Sequence, residues 1–264
     1  MKYLTLIFNF LVSISQNTRH YFKSGSFAIA VYPYLMHPCF KKMAMLLTVI
    51  FGGLMAYAGV FYLFGEYVAI LFSERSITTY FHHSTLELFF PIGSVIDGKE
   101  SSLSNLPHIM RALFSFQSYI VVPFYFICLY PISHKRLWLV ELLLALLFAI
   151  GTALVSEITS GRYSEGSLQN FGLSLTIIIG NLMLLFIGLD LDKTLTPRLK
   201  KSSLWLGFIG LICVSITMVY PTLFSPILER ISLYTIMIWE IIAGFAVIRN
   251  IISHRQQEED DEIY

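Results

Sequence analysis

Six stretches of this chain each run for about twenty residues with few or no charges, the length a helix needs to cross a bilayer core of roughly 30 Å. They extend from Met43 to Phe64, Arg111 to Pro131, Leu137 to Val155, Leu168 to Leu189, Leu204 to Phe224 and Ile231 to Ile252. None shows the period-2 alternation of a transmembrane barrel strand. Charged residues make up 13% of the chain, about half the roughly 25% that a water-facing domain carries. The pattern therefore predicts an all-α integral membrane protein, a bundle of six transmembrane helices. Its immediate partners are membrane lipids. A formal net charge of +1 supplies no basic field for nucleic acid.

Orientation follows from the basic residues, which concentrate on the cytoplasmic side of short loops. Lys41 and Lys42 precede the first span, Lys135 and Arg136 follow the second, and Lys193, Arg198, Lys200 and Lys201 follow the fourth. With both termini cytoplasmic, only Arg75, Lys99, Arg111, Arg162 and Arg230 of the 18 Lys and Arg residues face the other way. The chain thus divides into an N-terminal segment (1–42), a six-helix transmembrane domain (43–252) and an acidic, disordered tail (253–264). Tyr3 to Ile14 is apolar but too short to span, and no small-residue cleavage site follows it. An interfacial helix on the cytoplasmic leaflet is the expected structure. The connection from Gly65 to Met110 contains Ser84 to Val95, broken by Pro91 and Gly93, which suits a re-entrant or interfacial segment.

Helices in lipid associate through small residues and hydrogen bonds. Ser167, Ser174, Asn181 and Gly188 recur every seven residues in the fourth span; Gly52, Ala56 and Gly59 mark the first, and Ser203, Gly207, Gly210 and Thr217 the fifth. These stripes are expected to be packing faces. Glu240 stands apart, about 15 Å from Arg230 at one end of its span and from Arg249 at the other. An ionised carboxylate at that depth costs on the order of 2–3 kcal/mol by insertion scales. It should face the bundle interior, stay neutral and donate a hydrogen bond. Asn181, at the corresponding depth of the fourth span, is the expected partner; Gln117 in the second lies shallower. Glu240 reads either as a structural hydrogen bond between helices or as a proton-relay or polar-ligand group.

The non-cytoplasmic loops carry two further sets. His83 and Glu87 are spaced to share a helix face, with His82 beside them, but metal binding needs three or four converging ligands. Glu157, Arg162 and Glu165 occupy a short loop able to grip a lipid head group, although a surface salt bridge is the plainer reading. No metal or other cofactor is expected. Cys39, Cys128 and Cys213 are too scattered for a disulfide framework or zinc site. On the cytoplasmic side, Asp190, Asp192 and Lys193 could be read as a divalent-cation phosphotransferase site, but no second acidic motif lies nearby. There is no Walker loop, nucleophile elbow or zinc-protease motif.

Leu223 to Ile248 reads LFSPILERISLYTIMIWEIIAGFAVI, with Glu229, Arg230, Tyr234 and Trp239 after a short turn. Glu165 to Asp190 reads EGSLQNFGLSLTIIIGNLMLLFIGLD, with Gly172, Asn181 and Gly188. These segments, about a quarter of the chain, resemble the closing and fourth helices of a bacterial membrane family catalogued as domain of unknown function 998. The resemblance implies about six spans and a bacterial inner-membrane setting, but no reaction. Family members have a histidine entering the fourth helix where this chain has Gln169 and Asn170, so chemistry resting on it is doubtful here. The first forty residues also look additional. The leading expectation is a multi-pass protein binding a lipid or small amphiphile around Glu240 and Asn181. The alternatives are a small proton-coupled transporter using Glu240 and a membrane enzyme acting on lipid head groups.

Overall fold

The computed structural model describes residues 2–24, 37–72, 81–96, 99–100, 106–156, 167–193, 196–219 and 224–261. Helix α1 (Lys2–Ser24) precedes α2 (Pro38–Leu71). A 3-10 turn (Thr85–Phe89) and a two-residue antiparallel ladder of β1 (Val95–Ile96) with β2 (Lys99–Glu100) lead to α3 (Pro107–Phe124). Then come α4 (Trp138–Ser156), α5 (Ser167–Asp190), α6 (Pro197–Val219) and α7 (Ser225–Asp261). Six helices, α2 to α7, are long and apolar enough to cross a membrane, as the apolar runs predict.

Sequential neighbours pack from α2 to α7, and α7 closes the ring against α2 while also touching α5. The bundle is apolar on the outside and carries its polar groups within. Tyr57, Val60 and Phe64 of α2, Leu143 and Ile150 of α4, and Trp205, Phe208 and Ile212 of α6 are exposed. Gln117, Glu141, Thr152, Thr176, Asn181, Ser203 and Glu240 are buried. Water would penalise that outer surface; hydrocarbon does not.

Helix starts follow local chemistry. Pro38, Pro107 and Pro197 begin α2, α3 and α6, where a missing N–H costs nothing. His37 caps α2, its Nδ1 accepting from Cys39 N at 3.3 Å. Pro123 inside α3 breaks the regular ladder, and a π turn (Tyr125–Leu129) and a 3-10 turn (Tyr130–Ile132) complete that span.

Several helices extend beyond their apolar runs, α2, α6 and α7 beginning at Pro38, Pro197 and Ser225, and two of the differences have an evident cause. The first span continues past Gly65 and Glu66 to Leu71 because Glu66 turns inward, where it is 2% exposed beside Arg230. The last helix runs on through Asp261 rather than giving way to an irregular tail; no Gly or Pro follows Gly244 to stop it.

The expected packing stripes are contact faces in most positions. A Cβ on Gly52 would meet Ile248 and Gly244, and one on Gly244 would strike Gly52 and Ala56. Gly207 and Gly210 let α6 close on Asn181 of α5, and Gly188 lies against Leu204. Ser174 and Thr217 behave differently, since both line a cleft.

Candidate functional site

Helix α7 carries successive polar contacts from its start to its middle. Glu229 accepts hydrogen bonds from Thr85 N at 2.8 Å and Ser84 Oγ at 3.2 Å. Ser84 Oγ in turn accepts from Leu86 N, capping the 3-10 turn. Arg111 Nε donates to Phe89 O at 2.7 Å from the start of α3, its guanidinium over the Phe90 ring. Thr85, Leu86, Leu88 and Phe89 are buried, and the turn touches α3, α4, α5 and α7. The segment expected to be re-entrant or interfacial is thus a plug across one end of the bundle.

One residue on, Arg230 Nε lies 3.4 Å from Glu66 Oε1, both groups buried, and the Tyr234 hydroxyl hydrogen-bonds the same carboxylate. Next, Asn181 Nδ2 donates to Ser232 O and Oγ, both at 3.0 Å, and its Oδ1 accepts from Thr235 Oγ1 at 2.7 Å. Ser232 Oγ donates to Gly210 O, joining α5, α6 and α7.

The partner of Glu240 is Gln117. Its Nε2 lies 2.9 Å and 3.1 Å from the two carboxyl oxygens, with Met237 Sδ also at 2.9 Å. The expected Glu240–Asn181 pair does not form. Asn181 is level with Ser232 and Thr235, five to eight residues along α7 from Glu240, or roughly 8–12 Å. Turning the Gln117 amide over would let a neutral Glu240 donate to Gln117 Oε1 with the same two side chains. Beside them Trp239 Nε1 donates to Ser203 Oγ at 2.7 Å. Glu240 and Asn181 are 0% exposed and Gln117 1%. This is a packed interior, filled by protein.

At the other end, the basic end, Tyr125 in the π turn donates to Glu141 Oε2 at 2.8 Å. Both Asp190 carboxylate oxygens accept from Arg136 N at 3.1 Å, and Asp190 O accepts from His134 N at 2.8 Å. Asp190 therefore fixes the α3–α4 turn onto the end of α5. Lys200 Nζ donates to Leu191 O at 2.7 Å across the same connection.

His83 Nδ1 meets Glu87 Oε1 at 2.8 Å, and His82 is exposed. Among the described residues no group of three His, Cys, Asp or Glu side chains is placed to hold a metal. Glu157, Arg162 and Glu165 lie outside the described residues. The Glu66–Arg230–Tyr234 and Tyr125–Glu141 contacts are absent from the sequence expectation. One signal for the second was present: Glu141 is the lone charge in the apolar run Trp138–Ser156.

An open cleft of about 110 Å³ lies between α5, α6 and the start of α7. Its walls are Leu173, Ile177, Ile178, Val214 and Met218; Asn170, Ser174, Thr217 and Glu229 add polar groups. Ser174 is exposed and Thr217 half-buried. Unlike the packed Glu240 region, this cleft leaves room beside polar groups. No family model, curated protein or solved structure matches the chain.

Proposed function

We propose that this multi-pass membrane protein binds one amphiphile, with its apolar chain against α5 and α6 and its polar head near Glu229. The cleft carries the reading: an apolar wall that continues from exposed helix surface meets an acceptor-rich patch. Glu229 already accepts from Ser84 and Thr85, yet a carboxylate offers about four lone-pair sites. A head group that donates, through hydroxyls or an ammonium, complements it. The proposal moves the binding site from around Glu240 and Asn181 to the end of the same bundle and assigns the Glu240 pair to helix association. It includes a bacterial inner membrane, both termini cytoplasmic and kinship with the family of unknown function named above; the resemblance and the distribution of basic residues support these.

Native mass spectrometry of the detergent-purified protein tests the binding. The wild type should retain a lipid or small amphiphile at one copy per chain. Ser174→Trp, which fills the cleft from an exposed position, should lose it while remaining folded. Equal retention by the variant, or no ligand on the wild type, overturns the proposal.

A further inference from the structure

At the basic end, α1 and the α3–α4 turn bring cations together. Trp138 Nε1 donates to Ser15 O at 2.9 Å, fixing α1 against α4. The helix leaves Leu6, Phe10, Tyr21 and Phe22 exposed, an apolar surface that an interfacial helix would turn to acyl chains. Arg19 and Lys23, one turn apart on α1, are the charged groups that act on Lys135. Burial first, and then those two cations, hold the Lys135 ammonium below the usual lysine range.

The turn that presents Lys135 is held firmly. Lys135 has φ 61°, the left-handed region that non-glycine residues rarely adopt. Asp190 fixes the residues on either side by accepting from His134 N and Arg136 N. Those same bonds occupy the Asp190 carboxylate. The Lys135 ammonium lies 4.9 Å from the centre of the Tyr130 ring. Arg19 Nε is buried and has no acceptor among the described residues.

Arg19 and Lys23 both act on Lys135, and a buried guanidinium nitrogen lacks an acceptor among the described residues; an anion at this corner would satisfy both. We propose that Arg19, Lys23 and Lys135 form a binding site for a phosphate group at the membrane surface, of the kind carried by an anionic phospholipid. The guanidinium offers a forked donor for two phosphate oxygens, and the ammonium groups act as point charges. Trp138 sets the spacing by clamping α1. The site lies at the opposite end of the bundle from the Glu229 cleft and is independent of it.

The test compares full-length wild type with the triple variant Arg19→Gln, Lys23→Gln, Lys135→Gln. Native mass spectrometry would follow titration with phosphatidylglycerol, phosphatidylcholine of the same acyl chains, or inorganic phosphate. The wild type should prefer phosphatidylglycerol at least about tenfold, because its phosphodiester keeps a net negative charge that the choline head group of phosphatidylcholine neutralises. The triple variant should lose that preference, and Arg19→Lys with Lys135→Arg should keep most of it. Should the triple variant fail to fold, Lys23→Gln alone, at an exposed position, should still lower the preference. Saturable inorganic phosphate binding without a lipid preference, lost in the variant, would uphold the phosphate site with a soluble source. A wild type that binds neither phosphatidylglycerol selectively nor phosphate, or a variant that binds as well as the wild type, overturns it.

Discussion

Glu240 and Gln117 meet at 2.9 Å inside the bundle, where neither side chain reaches water. Glu240→Gln keeps a hydrogen-bonding oxygen and should leave stability nearly unchanged. Glu240→Leu strands the Gln117 amide, a loss of about 1–3 kcal/mol for a buried unsatisfied group. Membrane interiors soften such losses, because typical interhelical hydrogen bonds there are worth only about 0.6 kcal/mol. Thermal unfolding in detergent, with Gln117→Leu completing a double-mutant cycle, measures the coupling. Additive single losses would show that the pair contributes nothing. The depth of Glu240 was legible because apolar residues surround it on both sides. Its partner was not, because helix tilt and axial offset decide which residues of two spans are level. Glu66 and Arg230 were hidden for another reason: charges near the ends of apolar runs resemble interface anchors, and only the fold turns these two inward.

Among whole elements, α5, α6 and α7 depend on small residues for close approach. A Cβ on Gly210 would collide with the Asn181 side chain, whose hydrogen bonds tie α5 to α7. Gly210→Ala should therefore cost about 1–3 kcal/mol through overpacking. Gly53→Ala is the control on α2: nothing lies within 4 Å of its added Cβ, and alanine is the better helix former by up to about 1 kcal/mol. Opposite signs in unfolding temperature are expected; a similar loss at both would contradict the packing assignment. The small-residue spacing made these faces visible in the sequence. It gave Ser174 and Thr217 the same role as Gly207 and Gly210, because periodicity identifies a face and not whether a neighbour fills it.

For the whole molecule, the inside-out distribution of polarity accounts for the fold. Exposed Tyr57, Phe64, Trp205 and Phe208 ring the outside while Gln117, Asn181 and Glu240 occupy the centre. Six spans were legible because length and hydropathy alone fix them, whereas the cleft is assembled from residues of three helices and leaves no local pattern. Under the proposed topology, the end bearing Lys135, Lys193 and Lys200 faces the cytoplasm. Reporter fusions after Lys193 and after Ser160 test this most directly. The account predicts cytoplasmic reporter activity at Lys193 and activity across the membrane at Ser160. Both fusions reporting from one side, or the two sides exchanged, would contradict the topology.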